Sequence, residues 1–127
     1  MADQSATAQV TVLGSINMDL LAGTERLPAP GETVLGTSFR TAPGGKGSNQ
    51  AIAAARAGGA VRFVGAVGSD AFADTLADTL SAAGVSTARL RRVDGPSGIA
   101  VISVDAAAEN TIIVVLGANG VVSDLTG

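Results

Sequence analysis

The chain has 127 residues, of which 46% are hydrophobic and 15% are charged, and its formal net charge at neutral pH is −3. This length predicts one domain with a single core. The acidic balance and an aromatic content of only 2% argue against a nucleic-acid-binding protein, which needs basic surfaces and stacking side chains.

The first predicted elements alternate between extended and irregular structure. Gln9 to Leu13 is a short β-rich run that stops at a glycine, and it predicts a first buried strand. Gly14 to Leu20 follows it and is polar where a helix should bury apolar side chains. Two prolines between Leu27 and Gly31 predict a stiff turn, and Thr33 to Thr41 then predicts an extended segment.

The middle of the chain alternates helix and strand. Gly47 to Ala57 is rich in alanine and stops at two glycines, which predicts a helix, and Ala60 to Val67 predicts a second buried strand. Ser69 or Asp70 is expected to cap a second helix that Gly84 ends. One face of that helix carries an apolar residue at every fourth position: Phe72, Leu76 and Leu80. This alternation is typical of an α/β fold with a largely parallel sheet.

Two further β runs break the alternation. Gly98 to Val104 and Thr111 to Leu116 are separated by a short polar turn, so they predict an antiparallel hairpin. Together with the extended segment at 33–41, the hairpin is expected to form a small sheet apart from the main one.

The residues missing from the composition narrow the chemistry. The chain has no cysteine and no histidine, which excludes disulfides, thiolate or histidine metal sites and a Ser-His-Asp triad. It has no apolar run of about 18 residues or more, as a membrane span would need, and Met1 to Gln9 has no basic residue of a secretory signal. We therefore expect a cytoplasmic protein with no membrane partner and no nucleic-acid partner.

Lys46, the only lysine, lies in a glycine-rich stretch, Gly44-Gly45-Lys46-Gly47. The spacing does not fit a P-loop, and the segment after the first strand does not fit a dinucleotide fingerprint. A helix that begins among glycines offers backbone N–H groups and a positive dipole end, which suit hydroxyls or phosphate. The alternative is a tight turn with Lys46 in solvent, and the local sequence leaves both open.

The wider pattern resembles the ribokinase-type carbohydrate kinases of the PfkB family. The glycine-rich stretch continues as Ser48-Asn49-Gln50-Ala51, followed by Gly58 and Gly68, which resembles the first signature of that family. Three other pieces agree with it, namely Gly14-Ser15-Ile16-Asn17-Met18-Asp19, Pro28-Ala29-Pro30-Gly31-Glu32-Thr33 and Gly117-Ala118-Asn119-Gly120. The resemblance runs from Val10 onward and is closer to the ribokinase branch than to the adenosine or fructose kinases.

This resemblance implies a ribokinase-like fold, in which a parallel sheet flanked by helices carries a small β-sheet lid, here at about 33–42 and 97–117. It also implies a set of sugar-binding residues: Asn17, Asp19, Gly45, Lys46 and Asn49. A carboxylate accepts hydroxyl protons and an amide offers both donor and acceptor, as a polyol requires. For Asp19 the alternative is a turn or cap carboxylate, and Asn17 and Asn49 have a similar alternative.

The lid is expected to cover the sugar and to pair with a second subunit's lid in a homodimer. By the two-residue period of a strand, Ala100 and Ile102 share one face of the first hairpin strand and are candidates for the apolar wall over the sugar. Ordinary packing in the lid or in the dimer would require the same residue types.

The implied activity is ATP-dependent transfer of a phosphoryl group to the primary hydroxyl of a pentose, D-ribose, giving ribose 5-phosphate. Lys46 is also a candidate to approach the transferring phosphate. The family's second signature, a Gly-Ala-Gly-Asp segment with the catalytic base and anion hole, is absent from the sequence. The chain is therefore expected to be an incomplete, N-terminal portion (residues 1–127) with no catalytic or metal-binding residue of its own, in which ATP, Mg²⁺ and possible K⁺ activation belong to the complete enzyme.

Three alternatives remain open at this point. The complete enzyme could phosphorylate another sugar or a nucleoside. The chain could be a non-catalytic sugar-binding or dimerisation module, or the remnant of a truncated gene whose sheet edges lack partners.

Overall fold

The structure, a computed structural model, describes residues 7–123 and divides its strands between two separate sheets. In chain order the elements are β1 (Gln9–Leu13), β2 (Asn17–Thr24), β3 (Gly36–Gly44), α1 (Lys46–Arg56), β4 (Ala60–Val67), α2 (Ala71–Ala82), β5 (Leu90–Arg92), β6 (Gly98–Val104) and β7 (Asn110–Val115), followed by a 3₁₀ helix, Gly117–Ser123. No helix within residues 7–123 is long and apolar enough to cross a membrane.

The first sheet confirms the predicted α/β architecture. Its strands are ordered β1-β4-β5 and all pair in parallel. Helices α1 and α2 precede and follow β4 and pack with it around Phe63, Leu76 and Leu80, each at most 1% exposed. The predicted bounds of β1 and β4 are confirmed, whereas β5 is only three residues long and had no prediction.

The second sheet has the strand order β3-β2-β6-β7, which confirms a small sheet apart from the main one. The predicted hairpin is its β6-β7 pair, and the extended segment is β3, which begins at Gly36 and ends at Gly44. Strand β2 pairs antiparallel with β3 and parallel with β6. No strand was predicted within the polar segment Gly14 to Leu20, whereas in the structure the central strand β2 begins there at Asn17.

A partly buried group of polar side chains joins the two sheets where the chain passes from one to the other. Asp70 caps α2 by accepting a hydrogen bond from the Ala73 amide, and its carboxylate also accepts bonds from the Ser97 hydroxyl (2.7 Å) and the Ser97 amide (2.8 Å). The hydroxyl of Ser97, which is 0% exposed, accepts from the Gly68 amide. Burial alone would raise the pKa of Asp70, but the bonds from Ser97 and Ala73 lower it. This polar group therefore fixes the start of β6 against the end of β4.

Candidate functional site

The glycine-rich stretch brings the start of α1 against the chain that links β1 and β2. Gly45 is the N-cap of α1 and has a φ of 100°, a conformation that favours glycine. A Cβ at position 45 would lie 2.7 Å from the Ser15 carbonyl oxygen, and a Cβ at position 47 would lie 2.7 Å from the Ser15 nitrogen. The Ser48 amide donates to the same carbonyl at 3.0 Å. Both glycines are therefore needed for this close approach, and this explains why glycine stands on each side of Lys46.

Lys46 and Asn49 lie in the first turn of α1, three positions apart, so their side chains leave the helix on neighbouring positions of one face. Both residues are exposed. Among the hydrogen bonds within residues 7–123, none involves either side chain; the backbone N–H of Asn49 donates to the Gly45 carbonyl at 2.9 Å within the helix. The ammonium of Lys46 and the side-chain amide of Asn49 are thus available to a ligand at the helix N-terminus.

Asn17 and Asp19 are the first and third residues of β2, and they lie next to the same glycines. Asn17 is the register partner of Gly44 in β3. A Cβ at position 44 would lie 2.5 Å from the Asp19 carboxylate, so this carboxylate extends over Gly44, one residue before Gly45. The structure therefore brings Asn17, Asp19 and Gly45 together, and Lys46 follows directly in the chain.

The Asp19 carboxylate has an unusual environment. Burial raises its pKa, and the positive charge of Arg40 opposes the rise. No hydrogen bond from residues 7–123 reaches this carboxylate. A partly buried acceptor without a protein donor can bind hydroxyl protons of a ligand. Arg40 lies on the same face as Asp19, in register with Leu21, and lines a groove of about 340 Å³ farther along the sheet.

The two predicted wall residues share a face with Asp19. Ala100 is the register partner of Asp19, and Ile102 is the partner of Leu21, two positions along the same strand pair. Ala100 is 6% exposed, whereas Ile102 is half-buried. This placement is compatible with a wall over a ligand held by Asp19, and contact with a sugar stays a prediction.

Sequence reasoning did not single out two residues at this site. Asn119, in the 3₁₀ helix, donates a hydrogen bond to the side chain of Asn17, and Gly98, at the start of β6, leaves room for both amides. The Gly-Ala-Asn-Gly motif at 117–120 was a signal for the first, and a glycine at the start of an otherwise apolar strand was a signal for the second.

The side chains of residues 7–123 do not form a metal centre. Within residues 7–123, no group of three or more aspartates or glutamates lies close enough together to hold an ion.

Comparison with known proteins agrees with this architecture. The family model described as "pfkB family carbohydrate kinase" matches residues 7–125. The ribokinase of Bacillus subtilis is 46% identical over 110 residues, which cover 87% of this chain and 38% of that protein. The deoxyribokinase of Salmonella typhi is 39% identical over 111 residues, covering 87% of this chain and 36% of that protein.

A solved structure extends the likeness to three dimensions. The Arabidopsis thaliana ribokinase complexed with ribose and ATP superposes with a TM-score of 0.81 at 38% identity, covering 89% of this chain and 37% of that one. The chain therefore spans well under half the length of the relatives it matches. From the family match and this shared fold it follows that the chain belongs to the pfkB family of carbohydrate kinases, of the ribokinase type.

Proposed function

We propose that this chain supplies the sugar-binding portion of an ATP-dependent ribokinase. The complete enzyme would transfer the terminal phosphoryl group of ATP to the primary hydroxyl of D-ribose and release ribose 5-phosphate. The observation that carries the proposal is the convergence of Asn17 and Asp19, at the start of β2, with Gly45, at the start of α1, beside the exposed Lys46. The Arabidopsis relative, which binds ribose and ATP, supports the choice of substrate and nucleotide.

The chemistry of the proposed site suits a polyol. Asp19 accepts hydroxyl protons, the amides of Asn17 and Asn49 donate and accept, and the ammonium of Lys46 acts as a point charge toward a hydroxyl or a phosphate. Phosphoryl transfer depends mainly on positioning and charge stabilisation. In this proposal these four residues, with Gly45, position the sugar under the wall made by Ala100 and Ile102.

The remaining machinery belongs to the complete enzyme. The family's Gly-Ala-Gly-Asp segment, which carries the catalytic aspartate and the anion hole, is absent from this sequence, as are its Asn-x-x-Glu element and its nucleotide pocket. ATP, Mg²⁺ and any K⁺ would bind to the part of the complete enzyme that carries these elements, and the aspartate of the Gly-Ala-Gly-Asp segment would take the proton of the sugar hydroxyl. A cytoplasmic location agrees with such a reaction.

Another pentose is the alternative that a specific observation favours. The deoxyribokinase of Salmonella typhi matches nearly as much of this chain as the ribokinases do. Asn17 and Asp19 could bind the hydroxyls that ribose and deoxyribose share. Comparing the two sugars as ligands separates these substrates.

The proposal is tested by titrating ribose into the purified chain by calorimetry and by assaying ADP release with ribose and ATP. We expect weak, saturable ribose binding, because the sugar-binding residues are present, and no ADP release, because the catalytic aspartate is not. Glucose and deoxyribose serve as comparison ligands. Absence of ribose binding by a folded chain, or steady ADP formation, would contradict the proposal.

We also propose that the second sheet pairs with a second copy of this chain. Its face opposite Asp19 exposes large apolar side chains: Phe39 is 67% exposed, Ile113 is 64% exposed and Val115 is 44% exposed. Val101, in register with Ile113, is 37% exposed on the same face. A group of large exposed apolar side chains on one face of a sheet is typical of an interaction surface. Strand β7 also forms an edge of the sheet, which a symmetric partner could cover.

The Ile113→Lys substitution is the test of this pairing. It places a charge at the centre of the apolar face, so we expect a dimer of the unmodified chain to become a monomer in sedimentation velocity. Leu35→Lys is the matched control, because Leu35 is 93% exposed and lies outside the strands. The pairing is refuted by a monomeric unmodified chain at high concentration, or by a dimer that Ile113→Lys leaves intact.

A further inference from the structure

Asn119 holds the start of β2 by three hydrogen bonds across more than 100 residues of sequence. Its Oδ1 accepts from the Ile16 amide at 3.0 Å, and its Nδ2 donates to the Ile16 carbonyl at 3.1 Å. The same Nδ2 donates to Oδ1 of Asn17 at 2.7 Å. Both ends of the Asn119 amide are therefore used.

These bonds fix which way each amide faces. The Ile16 amide can only donate and the Ile16 carbonyl can only accept, so the oxygen and nitrogen of Asn119 cannot exchange places. With the Asn119 nitrogen fixed as a donor, the atom of Asn17 that faces it must be the oxygen. The NH₂ group of Asn17 is then on the other side, and within residues 7–123 it has no hydrogen-bond partner.

Gly98 provides the space that this pair occupies. A Cβ at position 98 would collide with Nδ2 of Asn119 and would lie 2.6 Å from Oδ1 of Asn17. Gly98 is the register partner of Asn17, so any larger residue there would separate the two amides. Residues of two other segments, Asn119 and Gly98, thus restrict the side chain of Asn17 to one arrangement.

We infer that Asn119 is a positioning residue that fixes the amide of Asn17 so that its NH₂ group, and not its oxygen, faces the sugar. This inference rests on the proposed function. The site then offers a donor from Asn17 and an acceptor from Asp19, two positions apart on β2. A sugar hydroxyl can accept a hydrogen bond from the Asn17 NH₂ group and donate its own proton to the Asp19 carboxylate. Asn119 would act on ribose only through Asn17.

The test is a double-substitution cycle on ribose affinity, with Asn17→Ala and Asn119→Asp alone and together. Asn119→Asp preserves the shape and the acceptor for the Ile16 amide but replaces the donor by an oxygen. The Asn17 amide must then turn its NH₂ toward the new carboxylate, and we expect ribose affinity to fall by about tenfold, the effect of one hydrogen bond lost from a site. In the Asn17→Ala background, Asn119→Asp should cause no further loss.

The outcomes separate this inference from the proposed function. If Asn17→Ala leaves ribose affinity unchanged, the sugar site itself is wrong. If Asn17→Ala weakens ribose binding but Asn119→Asp does not, or if the two losses add, the positioning role alone is overturned. Val85→Ala is the control for destabilisation, because Val85 is 3% exposed in the core beyond the end of α2, away from this site, and should lower stability without changing ribose affinity.

A measurement on the unmodified chain keeps the inference testable even if a variant fails to fold. Side-chain amide signals are followed by ¹⁵N NMR during a ribose titration. We expect the NH₂ signal of Asn17 to shift as ribose binds, while the NH₂ signal of Asn119, already bonded twice, stays nearly constant. A shift of the Asn119 signal with a constant Asn17 signal would overturn the inference.

Discussion

Replacing Asp19 with asparagine is expected to lower the affinity for ribose by about 100-fold or more, since hydrogen bonds to a charged acceptor contribute about 1.5–3 kcal/mol each. The same substitution should make the chain more stable. The carboxylate is partly buried, receives no hydrogen bond from residues 7–123, and has a raised pKa because burial disfavours its charge. Calorimetric titration and thermal unfolding of one preparation measure both effects.

The pH dependence follows from the sign of this shift. A carboxyl group whose folded-state pKa lies above its ordinary value of 3.8 stabilises the fold when protonated, and that contribution is lost as pH rises through the folded pKa. The stability gain of Asp19→Asn should thus be full at neutral pH and vanish below the ordinary pKa. Ribose binding should weaken on acidification at a higher pH than an ordinary aspartate would give.

Asp74→Asn is the matched control for the loss of one negative charge. Asp74 lies on α2, is 80% exposed at its side chain and pairs with Arg92 at 2.8 Å. We expect this substitution to leave ribose affinity unchanged and stability nearly unchanged, as is usual for exposed ion pairs. Asp19 is not a ligand-binding acceptor if both substitutions affect ribose equally. A loss of stability in Asp19→Asn would contradict the expected stability gain.

Gly45→Ala is expected to lower the free energy of unfolding by about 3 kcal/mol and to abolish ribose binding. Alanine is strained at the φ of 100° found here, and its Cβ would lie 2.7 Å from a backbone oxygen that cannot move independently of the chain. Relief of the clash requires α1 to move away from Ser15, which also carries Lys46 and Asn49 away from Asn17. Urea unfolding and ribose titration at low temperature, where the variant is still folded, measure the two losses.

Gly120→Ala is the comparison for this substitution. A Cβ at position 120 would have no heavy atom within 4 Å, and this glycine has no positive φ. The control should therefore retain both stability and ribose affinity. If Gly45→Ala behaves like this control, the close approach of α1 to the β1–β2 link is not needed for the site.

The elements that the sequence predicted best are those whose pattern is local. Strand β4 is apolar apart from Arg62, and α2 has an apolar residue at every fourth position, a capping aspartate and a glycine after its end, so several local signals predicted each element. Strand β5 has two arginines among three residues, and only its pairing with β4 makes it a strand. Its local sequence carries no strand signal that could have been used.

Strand β2 is the central strand of the second sheet, and it was not predicted from the sequence. Its first four residues alternate polar and apolar, with Met18 only 2% exposed, which is a strand pattern. The polar members, Asn17 and Asp19, face the candidate site where solvent or ligand replaces a packed core. The alternation then stops at Leu21-Ala22-Gly23. Four alternating residues were too few to predict a strand in a segment whose start is polar.

The candidate site was predictable only as far as the family resemblance named its residues. That resemblance placed Asn17, Asp19 and Gly45 in one site, and their adjacency in the structure agrees with it, while their contact with a sugar stays a prediction. Asn119 is 102 positions from its partner Asn17, and no periodicity relates two such residues. A contact of this range depends on the assembled fold.

The parallel pairing of β2 with β6 has a mechanical consequence. Both strands start at the site, with Asn17 beside Gly98, and run in the same direction to the far end of the sheet at Gly23 and Val104. Seven residues of strand span about 20 Å, so the sheet forms a lever arm anchored at the site. A rotation of the sheet by about 10° about Asn17 would displace its far end by about 3.5 Å. A small movement around a ligand would thus become a larger one at Val104, where a pair of spectroscopic labels can resolve it.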